Sequence, residues 1–179
     1  MSTETTQETD HAKSNAKAWV ETMIEQMAKL TREGAAQLYV NGCDEEKRRQ
    51  FLADNDVSFD PDLDDAGEML CNLIVDEAIA PPDFEFDEDT AREEIQESPL
   101  SVQVRSDWHN PGEESEAAEF EILLTTGGPA LRIRGELDEH KQPDRAYLEY
   151  QDWGTPWTQY FDVEQETLLE YCWCFYFGE

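Results

Sequence analysis

Positive charge is what this chain lacks. Its 179 residues hold 13 Lys and Arg against 43 Asp and Glu, a formal net charge of −30. Such a surface repels the phosphates of DNA and RNA and the headgroups of anionic membranes. That excludes direct nucleic-acid binding and membrane-surface binding, and leaves basic proteins and cations as partners. Cysteine is sparse: Cys43, Cys71, Cys172 and Cys174 form no dense framework and read as reduced thiols of a cytoplasmic protein. No apolar run reaches the roughly 18 residues of a transmembrane helix. The N-terminus, Met1 to Asp10, is polar and without an apolar signal region.

Catalytic signatures are missing as well. There is no Gly-rich phosphate loop, no H-E-x-x-H and no nucleophile elbow. Carboxylate pairs are so numerous that none stands out as a general acid and base. Gly127-Gly128-Pro129 reads as a hairpin turn rather than a phosphate cradle. His11, His109 and His140 are scattered, and Cys172-Trp173-Cys174 is spaced too tightly for a structural zinc knuckle. The expectation is therefore no enzyme activity, no cofactor and no metal, with the thiols buried.

Aromatic residues, by contrast, are plentiful. Five Trp, six Tyr and eight Phe supply large apolar surfaces, whereas a disordered acidic tail would have few. The composition reads as a folded core under an anionic skin, and the length as one domain.

The acid is unevenly spread. From Asp54 to Glu97 there are seventeen acids and a single base, Arg92; the 53 residues before this belt carry a net −2 and the 82 after it −12. Two carboxylates about 7 Å apart in water repel by roughly 0.6 kcal/mol, while a domain is usually stable by only about 5–15 kcal/mol. Charge concentrated at such a cost suggests a use, the simplest being to meet something very positive. Salt adaptation would acidify the whole surface, and the nearly balanced first 53 residues argue against it.

The hydrophobic periods predict an α+β fold. Residues 1–13 read as a flexible tail and 14–179 as a single domain, helical over 14–97, with a sheet and final helix over 98–179. A helix is expected over Asn15–Arg32, with Trp19, Val20, Met23, Ile24, Met27 and Leu30 on one face and Gly34 ending it. Asn41-Gly42 reads as a turn. Further helices are expected over Asp44–Ala53, over Ala66–Ile79 behind an Asp64 or Asp65 cap and stopped by Pro81-Pro82, and from Asp89 or Thr90 to Glu97. Later runs alternate with period two: Val102 and Val104, Glu119–Leu124, Ala130–Leu137, Tyr147–Gln151 and Trp157–Phe161. These read as an antiparallel meander of about four strands. Asp162, with Gln165 at the reciprocal capping position, opens a C-terminal helix packed on the sheet; an aromatic strand over Tyr171–Phe177 is the alternative.

Within the belt, Asp54, Asp56, Ser58, Asp60, Asp62 and Asp65 follow the ligand spacing of a calcium-binding EF-hand loop. Phe59 stands where the sharp turn needs glycine, and Pro61 follows two residues later. The sharper reading is polyanion mimicry. In an extended segment, residues i and i+2 lie on one face about 6.7 Å apart. Asp60, Asp62 and Asp64 form one such row. Asp83, Glu85 and Asp87 form another, with Phe84 and Phe86 behind it. Basic clefts built for phosphates accept carboxylates through the same charge-assisted bonds. The partner-binding candidates are Asp54, Asp56, Asp60, Asp62, Asp64, Asp65, Asp83, Glu85, Asp87, Glu88, Asp89, Glu93 and Glu94. Trp153 and Trp157 join them as apolar anchors of a compact aromatic turn, unless both close the sheet over the last helix.

In size, net charge and carboxylate rows the chain resembles the acidic nucleic-acid-mimic inhibitors of phages and mobile elements, the anti-restriction and anti-CRISPR proteins. No diagnostic motif is shared, so no residue role is carried over. Two stretches, Glu119–Asp138 and Ala146–Trp157, look like segments of uncharacterised phage and plasmid reading frames. The resemblance implies a non-enzymatic inhibitor in a host cytoplasm, occupying the basic cleft of a nucleic-acid-binding protein or complex. An acidic adaptor or chaperone for a basic protein, or an acidic domain of a salt-loving cell, are the alternative readings. The oligomeric state is not legible in the sequence.

Overall fold

A computed structural model describes residues 4–58, 65–113 and 115–178, with side chains from His11 onward. Contacts gather into two compact units, Met1–Ile24 with Glu93–Glu179, and Glu25–Arg92. The class is α+β: six helices and a five-stranded antiparallel sheet among the described residues. None of these helices is long and apolar enough to cross a membrane.

The helical unit contains α2 (Arg32–Gly42), α3 (Glu45–Asp54) and α4 (Ala66–Val75). Each begins at a side chain that accepts the first free backbone N–H groups. Thr31 accepts from Gly34, Asp44 from Lys47, and Asp65 from Gly67 and Glu68. Helices α2 and α3 both pack on α4. Ala36, Val40, Leu70, Cys71 and Ile74 form the core there, with Tyr39, Phe51, Val75 and Phe84 around it.

Two helices carry the chain from one unit to the other: the 25-residue α1 (Glu4–Ala28) and the 10-residue α5 (Glu88–Glu97). The stretch read from sequence as a tail is helical from Glu4 onward. The buried stripe that holds this helix starts at Ala12 and continues through Ala16, Val20 and Met23. Alanines four apart bury a helix face without marking it as apolar. Ile24, placed on that face by periodicity, is 48% exposed.

Gly34 does not end the first helix. It lies in the first turn of α2, where a Cβ would run into the carbonyl of Ala28. Asn41-Gly42 is not a turn either but the last residues of α2, because Val40 is buried in the α4 contact and holds the helix to that point. Helix α4 stops at Val75 rather than Ile79. Glu77 takes a positive φ of 57°, and the N–H groups of Ala78 and Ile79 fold back onto the Leu73 carbonyl. Asp87 caps α5, which therefore starts at Glu88, one residue before the earlier of the two expected starts.

The sheet follows β1 (Ser101–Ser106), β2 (Ala117–Thr125), β3 (Ala130–Leu137), β4 (Pro143–Gln151) and β5 (Thr158–Gln159), in spatial order β1-β2-β3-β4-β5. The meander thus has five strands, the run Trp157–Phe161 contributing only the two-residue β5. Gly127 and Gly128, both at positive φ, make the expected hairpin turn between β2 and β3. On the covered side of the sheet sit Phe120, Ile122, Leu131, Ile133 and Leu148, all nearly fully buried. Against β4 packs α6 (Gln165–Cys172), which brings Leu168, Tyr171 and Cys172 to that core. Burying each such aliphatic side chain contributes about 1.5–3 kcal/mol. Asp162 does not cap α6. Its N-cap is Glu164, whose side chain makes no capping bond, and the residues after Cys172 form no strand. Trp19 of α1 stands edge-on to Tyr171, ring centroids 5.4 Å apart. All four cysteines are free and buried, and burial pushes the Cys172 thiol strongly up.

Candidate partner-binding surfaces

The belt is not one continuous row. Asp60, Asp62 and Asp64, the first predicted row, lie outside the described residues, and with Asp60 and Asp62 so does part of the calcium-like spacing. Asp54 ends α3, and Asp56 sits just beyond it at a positive φ of 55°, both exposed. Asp65 is committed to the α4 cap, and its two backbone hydrogen bonds hold its carboxyl below the usual range. Among the described residues, no cluster of three or more His, Cys, Asp or Glu is arranged to hold a metal ion.

The second row keeps the alternation read from sequence. Asp83, Glu85 and Asp87 are exposed, while Phe84 and Phe86 are half-buried between them. The segment is nevertheless irregular rather than a strand, and two of its three carboxylates are engaged. Asp83 accepts the Tyr39 hydroxyl at 2.6 Å and the Lys47 ammonium at 2.9 Å. Those two bonds lower the Asp83 pKa, whereas desolvation and then the Asp83 contact push the Tyr39 phenol up to about 12. Asp87 accepts the N–H groups of Asp89 and Thr90 and the Thr90 hydroxyl, which lowers its pKa. These carboxylates build the fold before they meet any partner.

Helix α5 presents a different row. Ala91 and Ile95 are its buried positions. Opposite them, Asp89, Glu93 and Glu97 are exposed at i, i+4 and i+8, about 6 Å apart along the axis. None of the three makes an ion pair among the described residues. Glu88 differs, holding Arg92 at 2.8 Å, and Glu94 is exposed beside the stripe. Like charges at i, i+4 destabilise a helix, and acid in the last turn opposes its dipole. The sequence reading named Glu88, Asp89, Glu93 and Glu94 but missed the stripe, which needs Glu97 and helical spacing in place of the extended one.

The outer face of the sheet was missed altogether. On it the side chains of β2, β3 and β4 that point away from the core alternate in sign. Arg132 lies between Glu121 and Glu149, at 2.8 Å from each, with its own side chain only 16% exposed. Glu119 takes both Arg105 and Arg134, at 2.6 and 3.2 Å, and Arg145 lies 3.6 Å from Glu136. A shallow cavity of about 220 Å³ opens over Gln103, Arg105, Glu119, Glu121, Arg132 and Arg134. The signal was present: Glu119 and Glu121 alternate in one strand and Arg132 and Arg134 in the next, and the hairpin register sets Glu121 opposite Arg134, with Arg132 and Glu119 as its diagonal neighbours on the same face.

The two tryptophans divide. Trp157 is half-buried with the Arg132 guanidinium 4.0 Å from its ring centroid, so it belongs to the outer face of the sheet. Trp153 is 78% exposed and leans on Gly128, where a Cβ would collide with the indole. Its loop is tied by the Asp152 carboxylate, which accepts the Trp153 N–H at 2.7 Å, and by Gln151, which donates to the Thr155 carbonyl. No family model, curated protein or solved structure matches this chain.

Proposed function

We propose that the chain is a non-enzymatic polyanion mimic that occupies the basic nucleic-acid cleft of a protein or complex, of the anti-restriction or anti-CRISPR kind. The observation that carries this reading is the α5 stripe. Asp89, Glu93 and Glu97 project from a rigid element, away from its buried side, at a spacing comparable to successive phosphates on a strand. The charge-balanced outer face of the sheet supports it from the other side. General salt adaptation has no reason to pair four arginines with four glutamates on one surface and to leave Asp89, Glu93 and Glu97 without an ion pair among the described residues. Binding of this kind is fast, steered and weakened by salt. Trp153 offers an exposed aromatic contact of the type favoured at interface centres.

Competition tests the reading. The immobilised protein is incubated at low salt with nuclease-treated host lysate, with and without sheared duplex DNA or RNA. Captured proteins are expected to be nucleic-acid binders displaced by the added nucleic acid. The triple variant Asp89→Gln, Glu93→Gln, Glu97→Gln is expected to lose them. Capture that persists under saturating nucleic acid points instead to an acidic adaptor and ends the mimic reading.

A further inference from the structure

The edge of the sheet opposite β5 is unusually bare. Strand β1 pairs with β2 in regular register from Ser101 with Leu123 to Arg105 with Glu119, shifts by a bulge before Ser106, and among the described residues its other edge ends the sheet. From Ser98 to Ser106 there is no carboxylate, and β1 is the only one of the four long strands without one. On the side that carries Ile122 and Phe120 of the neighbouring strand, Leu100, Val102 and Val104 are 57%, 39% and 40% exposed. Edge strands are normally blunted by lysine, an inward charge, proline, a bulge or shortness, because free N–H and C=O groups beside apolar side chains template further pairing; here Pro99 and the bulge at Arg105 lie at the two ends of β1 and leave Ser101–Val104 between them unprotected. Here the one charge, Arg105, is drawn back onto Glu119 by two hydrogen bonds of 3.0 and 2.6 Å.

We propose that β1 is a self-association strand, pairing antiparallel with β1 of a second copy so that two sheets join edge to edge. Charge selects this occupant. Two chains of −30 repel across most of their surfaces, and an acid-free strand whose arginine is already neutralised is where they can touch. A basic segment would gain nothing on β1 and would be drawn to the carboxylates elsewhere. A two-fold contact also sets the same bare edge against itself, so that each free backbone group meets its complement. The remaining repulsion is screened by ions, so pairing strengthens with salt, the reverse of the response expected of a phosphate-mimicking surface. This inference does not depend on the proposed function.

Sedimentation velocity on the full chain, over a range of protein concentrations, tests it at about 0.1 M and about 1 M sodium chloride, where the screening length falls from about 10 Å to about 3 Å. The dimer fraction is expected to rise with concentration, with an apparent Kd about tenfold lower at the higher salt. Val102→Asp with Val104→Asp is expected to restore the monomer at both salts without changing the far-ultraviolet circular dichroism. Should that variant fail to fold, amide exchange on the unaltered chain decides: protection of the Val102–Arg105 amides must rise with protein concentration. A monomer at every concentration and both salts overturns the proposal. So does a dimer that survives the double variant, or one that leaves β1 exchange unchanged.

Discussion

On α5, Asp89, Glu93 and Glu97 stand about 6 Å apart along one exposed face and make no ion pair among the described residues. On the outer face of the sheet, Glu119, Glu121, Glu136 and Glu149 each meet an arginine within 3.6 Å. The same kind of side chain is left repelling its neighbours in one place and neutralised in the other. Composition cannot account for that contrast, because arginine is placed four times where strands bring it to glutamate and once along α5. The contrast says that a low count of bases is not a uniform property of this surface. The sheet uses its few arginines as cross-strand ties, whereas the one arginine of α5 pairs with Glu88 and leaves the stripe uncompensated. A surface that keeps its repulsion uncompensated gives up a little stability and gains a field that a basic cleft can use.

The sharpest way to break the comparison is to remove one arginine from each region. Arg132→Ala takes away the group held by both Glu121 and Glu149 and stacked on Trp157, leaving two half-buried carboxylates facing each other. The expected loss is about 2–4 kcal/mol, read by urea unfolding at neutral pH. Arg92→Ala removes a half-buried i, i+4 partner of Glu88 and is expected to cost less than about 1 kcal/mol. Equal losses would mean that the sheet pairs are ordinary surface contacts and that the distinction drawn between the regions is empty.

How much of this was legible follows from what each feature depends on. The helices α3 and α4 open at Asp44 and Asp65, caps that local sequence announces. The strands announce themselves by alternation. The start of α1 was hidden because Ala12 and Ala16, though buried, carry no amphipathic signal. The end of α2 was hidden because burial of Val40 overrides the turn preference of Asn41-Gly42. The Phe84 and Phe86 alternation was readable. That Asp83 is held by Tyr39, 44 residues earlier in the chain, was not. The Arg132 clamp joins partners 11 and 17 residues away and exists only once the strand register is fixed.

A smaller effect separates carboxylates that build the fold from those that do not. Backbone N–H groups hold Asp65 and Asp138 below the usual pKa, and Asp87 is lowered by Thr90 and then Asp89. Each therefore binds protons less readily folded than unfolded, where the value is about 3.9. Their contribution is complete above about pH 4 and is lost as pH falls through the folded value. Asp65→Ala is expected to lower Tm at neutral pH by less than Arg132→Ala does. The gap between variant and parent should narrow as pH falls below about 4. A gap that stays constant down to pH 2 would show that the Asp65 charge does nothing for α4.

Neutralising the α5 stripe is expected to move stability little, and in the opposite direction. Asp89→Gln, Glu93→Gln and Glu97→Gln together remove two like-charge i, i+4 repulsions of about 0.2–0.5 kcal/mol each, while the gain from removing an acid at the last turn is offset by the loss of Asp89 from the first turn, where the helix dipole favours it. The variant is expected to be more stable by about 0.5 kcal/mol in urea unfolding, while losing capture of basic proteins at low salt. Glu121→Gln is the matched change on the sheet. It removes one side of the Arg132 clamp and is expected to lower stability while leaving capture intact. Opposite signs in the two assays separate charge kept for a partner from charge kept for the fold. If the α5 variant is stabilised yet still captures the same proteins, the stripe is an uncompensated cost without the use assigned to it, and the mimic surface must be sought elsewhere on the chain.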